Sequence, residues 1–413
     1  MHPIALAALL LLLPALSLVP TQLPGVTADP EEMPAFSGGD GSAGNPYVIA
    51  NVTDLQNMSA NLSAHYVLGG DVDASATAGW ASGAGFSPLG GYSGRFTGSL
   101  DGANHTIRGL HINRSTTTYA GLFGYIGTGG SVVDLVLVDV NVTGHDSVGA
   151  LAGCSIGKVS NCHASGNVTG NYYVGGLAGY NRFGSMSSSH ASGEVIEYLY
   201  VGGLAGANDG TVSTCYSAAE VNGSYYVGGL VGHSGGTIAN CHSSGDVSGS
   251  RDVGGLVGVN FEGGISYSHS TGKVTGTTRV GGLLGRDSSG TLTGCLWDNE
   301  TSGQTSSAGG TGRNTTDMMT RATFTGAGWD LSSVWSIIEN ETYPVLRWQD
   351  AEPPVAEAGP DQTVHMGADG RTRVDLDGTG STDDLAVTGH VWTFLHDGTQ
   401  ERLLGAERPE SLG

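Results

Sequence analysis

The sequence predicts an all-β chain: a parallel β-helix, or solenoid, of about seven coils with a cap at each end, followed by an incomplete immunoglobulin-like β-sandwich. Three observations predict it. A Val-Gly-(Gly/Ala)-Leu unit recurs with its valine at Val148, Val174, Val201, Val227, Val253 and Val280, in steps of 26, 27, 26, 26 and 27 residues. Glycine supplies 71 of 413 residues, far more than helices tolerate. No segment of the repeat shows helical spacing; each copy instead breaks into short strand-like pieces between glycine-rich corners, as in "GTIANCHSSG" (236–245) and "DVSGS" (246–250).

The elements follow in chain order. Ile4 to Val19 is an apolar run that Pro14 interrupts, and it is short for a membrane span. Val26-Thr27-Ala28 then supplies a small-residue cleavage site, so residues 1–28 are expected to be a secretory signal peptide, although the preceding charged region holds only His2. No other apolar run approaches membrane length, and no further transmembrane span is expected. The chain is therefore expected to be secreted or held at a cell surface.

The regular repeats occupy 118–295, with "TYAGLFG" (118–124) as a diverged first copy. Three strands and three corners per 26 residues fit one coil of a parallel β-helix; coils spaced by ~4.8 Å give a rod of roughly 34 Å. Equivalent residues then stack as ladders. Val159, Met186, Val212, Ile238, Ile265 and Leu292 form an apolar column, expected inside. Three residues on, Leu135, Cys162, Ser189, Cys215, Cys241, Ser268 and Cys295 form a second column, also expected inside. Asn181, Asn208, Ser234, Asn260 and Asp287 form a third, expected at a corner where Asn bonds to Asn and adopts left-handed backbone. In "YYVGGLAGYN" (172–181), Val174 and Leu177 are expected to point inward across a bend that the two glycines permit. A phosphate-binding loop is excluded: no helix follows any copy, and no P-loop lysine is present.

The repeated "GGLAG", "GGLVG" and "GGLLG" cores resemble the GLUG family of repeats. The resemblance covers roughly 36–350: "SGGDGSAGNPYVIANVTDLQNMS" (37–59) is similar to the opening segment, where a short helix is expected to cap the rod. "YSGRFTGSLDGANHTIRGLHI" (92–112) resembles the first coil, and "CLWDNETSGQTSSAGGTGRNTTDMM" through "YPVLRW" (295–348) the closing cap. The resemblance implies a secreted or cell-surface solenoid of adhesin-like type. Some relatives carry a metallopeptidase, but this chain has no His-Glu-x-x-His, so that activity does not transfer. Residues 353–413 resemble the start of a PKD domain, with Trp392 as its core tryptophan, and are too few to complete a sandwich.

Charge narrows the partners. The formal net charge is −22, and lysine occurs only at Lys158 and Lys273, so nucleic acid is not an expected partner. Expected partners are cell-surface glycans or proteins. Eleven of eighteen asparagines sit in Asn-x-Ser/Thr, against about four expected by chance: Asn51, Asn57, Asn61, Asn104, Asn113, Asn141, Asn167, Asn222, Asn299, Asn314 and Asn340. They are expected glycosylation sites on an exported protein.

Four further columns carry chemistry. Tyr173, Tyr200 and Tyr226, continued by Asp252 and Arg279, form an outward strip suited to sugar rings or a protein partner. His163, His190, His242 and His269, with Tyr216 among them, point away from the inward Cys/Ser column and are expected as an exposed polar ladder rather than a metal site. Glu194, Glu220 and Asp246, followed by Lys273, are expected as a solvated face; no cofactor is expected, with weak calcium binding the only ion chemistry they suggest. The five cysteines invite disulfides, Cys215 to Cys241 above all, but their interchange with Ser and Leu favours interior packing.

No catalytic constellation is legible, and a non-catalytic role is expected. The alternative is a carbohydrate-active β-helix enzyme, a polysaccharide lyase or hydrolase. Its site would lie in the irregular stretch 65–118, which holds Asp71, Asp73, Arg95, Asp101 and His105.

Overall fold

The computed structural model describes residues 36–349, together with the backbone of an antiparallel hairpin, Val391–His396 with Thr399–Leu404. The expected signal peptide, 1–28, and the remainder of the expected sandwich, 353–413, lie outside the described residues. Residues 36–298 form a solenoid of about seven regular turns in which the strands of neighbouring coils pair in parallel.

Each coil presents three faces. Using the coil that starts at Lys158, the first face is Lys158–Thr169, the second is Tyr172–Gly175 and the third is Ala178–Asn181. The second face stacks six strands deep, the third seven, and the first is longest and joins both ends of the rod. The valine ladder of the second face pairs in register from Val148 through Val280. On the first face the apolar column pairs from Val159 to Leu292 and extends backwards through Val132, Leu100 and Tyr66 to Tyr47. The core runs without a break from Ile49 to Trp297.

Two inward residues stand three apart because one residue between them is left-handed. On the first face Asp134, Asn161, Ser188, Thr214, Asn240, Tyr267 and Gly294 all have φ between 46° and 61°. One such residue absorbs the odd position, so Val159 and Cys162 both face the core. The same device serves the second face one residue before each valine, at Ser147, Tyr173, Tyr200, Tyr226, Asp252 and Arg279, with φ between 53° and 63°. The inter-coil register skips Tyr173 and resumes at Val174.

The glycines of Val-Gly-Gly-Leu do a different job from the one their sequence suggests. Val174 and Leu177 do both point inward, but neither Gly175 nor Gly176 has a positive φ. They are required by clearance: a Cβ on Gly175 would lie 2.3 Å from the Ala178 carbonyl oxygen, and one on Gly176 would lie 2.3 Å from that of Gly203. The asparagine column is also corrected in part. Asn181, Asn208 and Asn260 are fully buried strand residues with ordinary backbone, not left-handed corners. Their side chains do bond along the rod: Asn181 Nδ2 donates to Asn208 Oδ1 at 2.8 Å, and Asn260 Nδ2 to Asp287 Oδ1 at 3.0 Å.

The ends are closed differently. At the N-terminal end helix α1, Val52–Asn57, is capped by Asn51, whose Oδ1 accepts from the Thr53 and Asp54 amides, and Leu55 and Met58 seal the core. At the other end Trp297 fills the place above Gly282, where a Cβ would lie 1.9 Å from the indole. The chain then turns back. After short helices at Thr315–Met318 and Arg321–Gly326, residues 329–349 run along the outside of the first face as a strap. Trp329 Nε1 donates to the Gly294 carbonyl, Trp335 Nε1 to Asn240 Oδ1, and Trp348 Nε1 to the Thr214 carbonyl, so the strap retraces the rod towards its start.

Candidate functional site: two outward ladders

The histidine ladder lies outward in the expected register, His163 to His190 to Tyr216 to His242 to His269, with ring centroids 4.3 to 5.0 Å apart. The expectation of exposure is overturned. The strap covers it: Trp348 packs within 5.4–6.1 Å of His163, His190 and Tyr216, while Trp329 and Trp335 pack on His269. Gln349 Oε1 meets His242 Nε2 at 3.0 Å. Burial, with the like charge of His242 added, lowers His190 to about 4, and the same causes push His269 well below its usual range. His190 and His269 are neutral spacers between rod and strap.

The tyrosine ladder lies outward on the second face, half-buried and not covered by the strap. Tyr173 and Tyr200 stack with centroids 4.7 Å apart and planes 3° apart, and Tyr200 and Tyr226 with 4.9 Å and 19°. Rings lying flat on a surface cannot approach so closely, so the faces are turned to one another. The strip therefore presents ring edges and phenol hydroxyls, not the flat platform for sugar rings that the sequence suggests. Burial raises the Tyr173 and Tyr200 phenols above their usual range, which keeps both as neutral O–H donors.

A second outward column, on the third face, meets the first and was not singled out from the sequence: Tyr180, Ala207, His233, Val259 and Arg286 in successive coils. Tyr180 stacks on Tyr173 at 5.4 Å, and its hydroxyl donates to Asp209 Oδ2. His233 meets Tyr200 edge to face at 5.6 Å, and the Arg286 guanidinium lies 5.8 Å from the Tyr226 centroid. The 26-residue period alone would have found this column, six positions after each valine. At the C-terminal end of the strip Asp252, fully buried, is ringed by Arg279 at 2.5 Å, Arg251 at 3.6 Å and Arg286 at 4.0 Å.

The remaining expected residues do not converge. Glu194 stacks between Asn167 and Glu220 in register, and Asp246 accepts from the Lys273 amide at 3.1 Å, an outer edge at or near solvent. In the irregular stretch, Asp71 pairs with His105 at 3.3 Å, Asp73 caps the Ser75 amide, Asp101 caps the Ala103 amide, and Arg95 sits over Tyr125. Each makes its own local contact. Neither of two clefts, of about 610 and 470 Å³, is lined by Asp, Glu or His.

All five cysteines are buried free thiols, and burial raises Cys162 and Cys241 to about 12 and Cys154 and Cys295 to about 11. Cys215 Sγ and Cys241 Sγ each donate to a carbonyl two residues back on their own strand, to Ser213 and Ala239, at 3.2 Å. None of the eleven sequon asparagines is buried, whereas Asn181, Asn208 and Asn260, which lie outside any sequon, are fully buried. Asn51 and Asn314 spend Oδ1 on helix caps, and Asn51 Nδ2, the nitrogen that a glycan would modify, also donates to Asp54 Oδ2 at 3.2 Å. No helix among the described residues is long and apolar enough to cross a membrane.

Comparison with known proteins agrees with this architecture. The motif family described as "The GLUG motif" matches residues 170–196, 223–248 and 249–275, each about one coil. The chain is similar to halomucin of Haloquadratum walsbyi, 39% identical over 160 residues, which is 37% of this chain and 2% of that protein. It is also similar to a protein named as a Gly-rich membrane protein in Evansella cellulosilytica, 37% identical over 131 residues, 30% of this chain and 15% of that one. The chain thus spans a small fraction of the length of either relative.

Proposed function

We propose that this is a non-catalytic, surface-type repeat protein: a stiff rod, exported and N-glycosylated, that holds the Tyr173–Tyr226 strip outward for glycan or protein ligands at a cell surface. The names of the relatives, a halomucin and a membrane protein, support the surface setting. The accessible sequons support the glycosylated exterior.

The observation that carries the reading is the contrast between the two ladders. The fold buries its histidine ladder under a strap of three tryptophans and leaves the tyrosine ladder uncovered among the described residues. A column of aromatic residues that serves only packing gains by being covered, as the histidines are. The test is binding of the full chain to a glycan array, beside the variant Tyr173→Ala, Tyr200→Ala and Tyr226→Ala. Binding to a subset of glycans that the triple variant loses supports the strip. Undiminished binding by the triple variant removes it.

A further inference from the structure

We propose that the ligand of this strip is an acidic polysaccharide, lying along the rod with its hydroxyls on the tyrosine phenols and its carboxylates on Arg251 and Arg286. The inference rests on the reading that the tyrosine ladder is a ligand platform.

Three observations carry it. The first is charge: three guanidinium groups surround one carboxylate, Asp252, so this end of the strip holds two positive charges in excess within a chain of net charge −22. Arg279 is the closest partner of Asp252, with an ion contact at 2.5 Å to Oδ1 and a hydrogen bond at 2.8 Å to Oδ2, whereas Arg251 and Arg286 stand off at 3.6 and 4.0 Å. The second is an unused donor. Arg286 Nε is buried and makes no hydrogen bond, a costly arrangement that the guanidinium, on a side chain 32% exposed, would relieve by turning outward to an incoming carboxylate.

The third is the ring geometry. Stacked tyrosines offer donors along a line and no open ring face, so a ligand recognised here is rich in acceptors rather than in flat apolar surface. From the Tyr173 rung to the Arg279 rung the strip is about 19 Å long at the coil spacing, a length that suits a polymer better than a single sugar. A polyuronate meets all three demands: hydroxyls and ring oxygens at each unit, and a carboxylate at each unit for the guanidiniums.

The experiment measures affinity of the full chain, at low and high salt, for polygalacturonate, neutral dextran and oligo(dT) of matched charge. Each is repeated with Arg251→Gln/Arg286→Gln and with Tyr173→Phe/Tyr200→Phe/Tyr226→Phe. Both variants leave the Arg279–Asp252 pair intact, and an unchanged melting temperature certifies the fold. If the double arginine variant melts early, Arg251→Gln alone, at a side chain 51% exposed, carries the test. The expected result is preference for polygalacturonate, weakened by salt and weakened roughly tenfold or more in the arginine variant. Equal binding of dextran that ignores the arginine variant overturns the inference while leaving the strip as a glycan site. Equal binding of oligo(dT) overturns it too, since the site then reads charge alone. Binding of no polysaccharide overturns both.

Discussion

Tyr173, Tyr200 and Tyr226 hold φ values of 55° to 63°, a conformation that costs a non-glycine residue roughly 1–2 kcal/mol. A reading by propensity assigns such positions to Gly or Asn, which is why it placed the bend on Gly175 and Gly176. The glycines were legible as essential but not in their role, because clearance between coils is a tertiary fact. The apolar column and the Cys/Ser column were legible to the residue, since period and polarity together define them, whereas the buried asparagine column was expected at a corner. Thr214 is the sharpest case of local strain, a β-branched residue at φ 49° in a column where Asn161 and Asn240 do the same work. Thr214→Asn is expected to stabilise by about 1 kcal/mol, raising the melting temperature by about 1–2 °C. A lower melting temperature would mean that the bond from the Ser188 amide to Thr214 Oγ1 outweighs the strain. The cysteines allow a second test at this scale. Reagent added to the native protein is expected to find no reactive thiol, and after denaturation without reductant all five. Fewer than five would reveal a disulfide.

The strap is the element whose path sequence reasoning missed: its residues were expected within the closing cap, 295–348. Its residues follow no repeat, and alternation along a strand says only that the histidines point outward. Whether an outward residue is exposed depends on what folds back over it. Trp329, Trp335 and Trp348 are spaced to reach Gly294, Asn240 and Thr214 in turn, and that spacing means nothing until the rod beneath is known. The strap makes the fold sensitive to acid. His190 titrates near 4 when folded and near 6.5 when unfolded, so between these values the unfolded chain binds the extra proton. The contribution is fully present above about pH 6.5 and is lost progressively as the pH falls towards 4, on the order of 2–3 kcal/mol from this residue. Melting temperature measured from pH 7.5 to 4 is expected to fall, with a smaller fall in His190→Gln. An identical pH profile for the two proteins would contradict this account of the ladder.

At the largest scale, residues 36–298 are a one-dimensional stack in which each coil contacts its neighbours and the ends need separate closure. That architecture, the phasing of the coils and the existence of both caps could be read from the sequence. The end-to-end continuity of the tyrosine strip, and its termination on three arginines, could be read only in part, because the second column lies on another face and converges only after folding. A rod that binds through a repeated outward ladder makes a prediction that a local pocket does not. Affinity should depend on how many rungs a ligand can engage. The most direct measurement is the affinity of the full chain for oligouronates of increasing length. The account predicts affinity that climbs with each added unit until the roughly 19 Å strip is filled, and then levels off. Affinity already at its maximum with a monosaccharide, and unchanged at greater length, would contradict it.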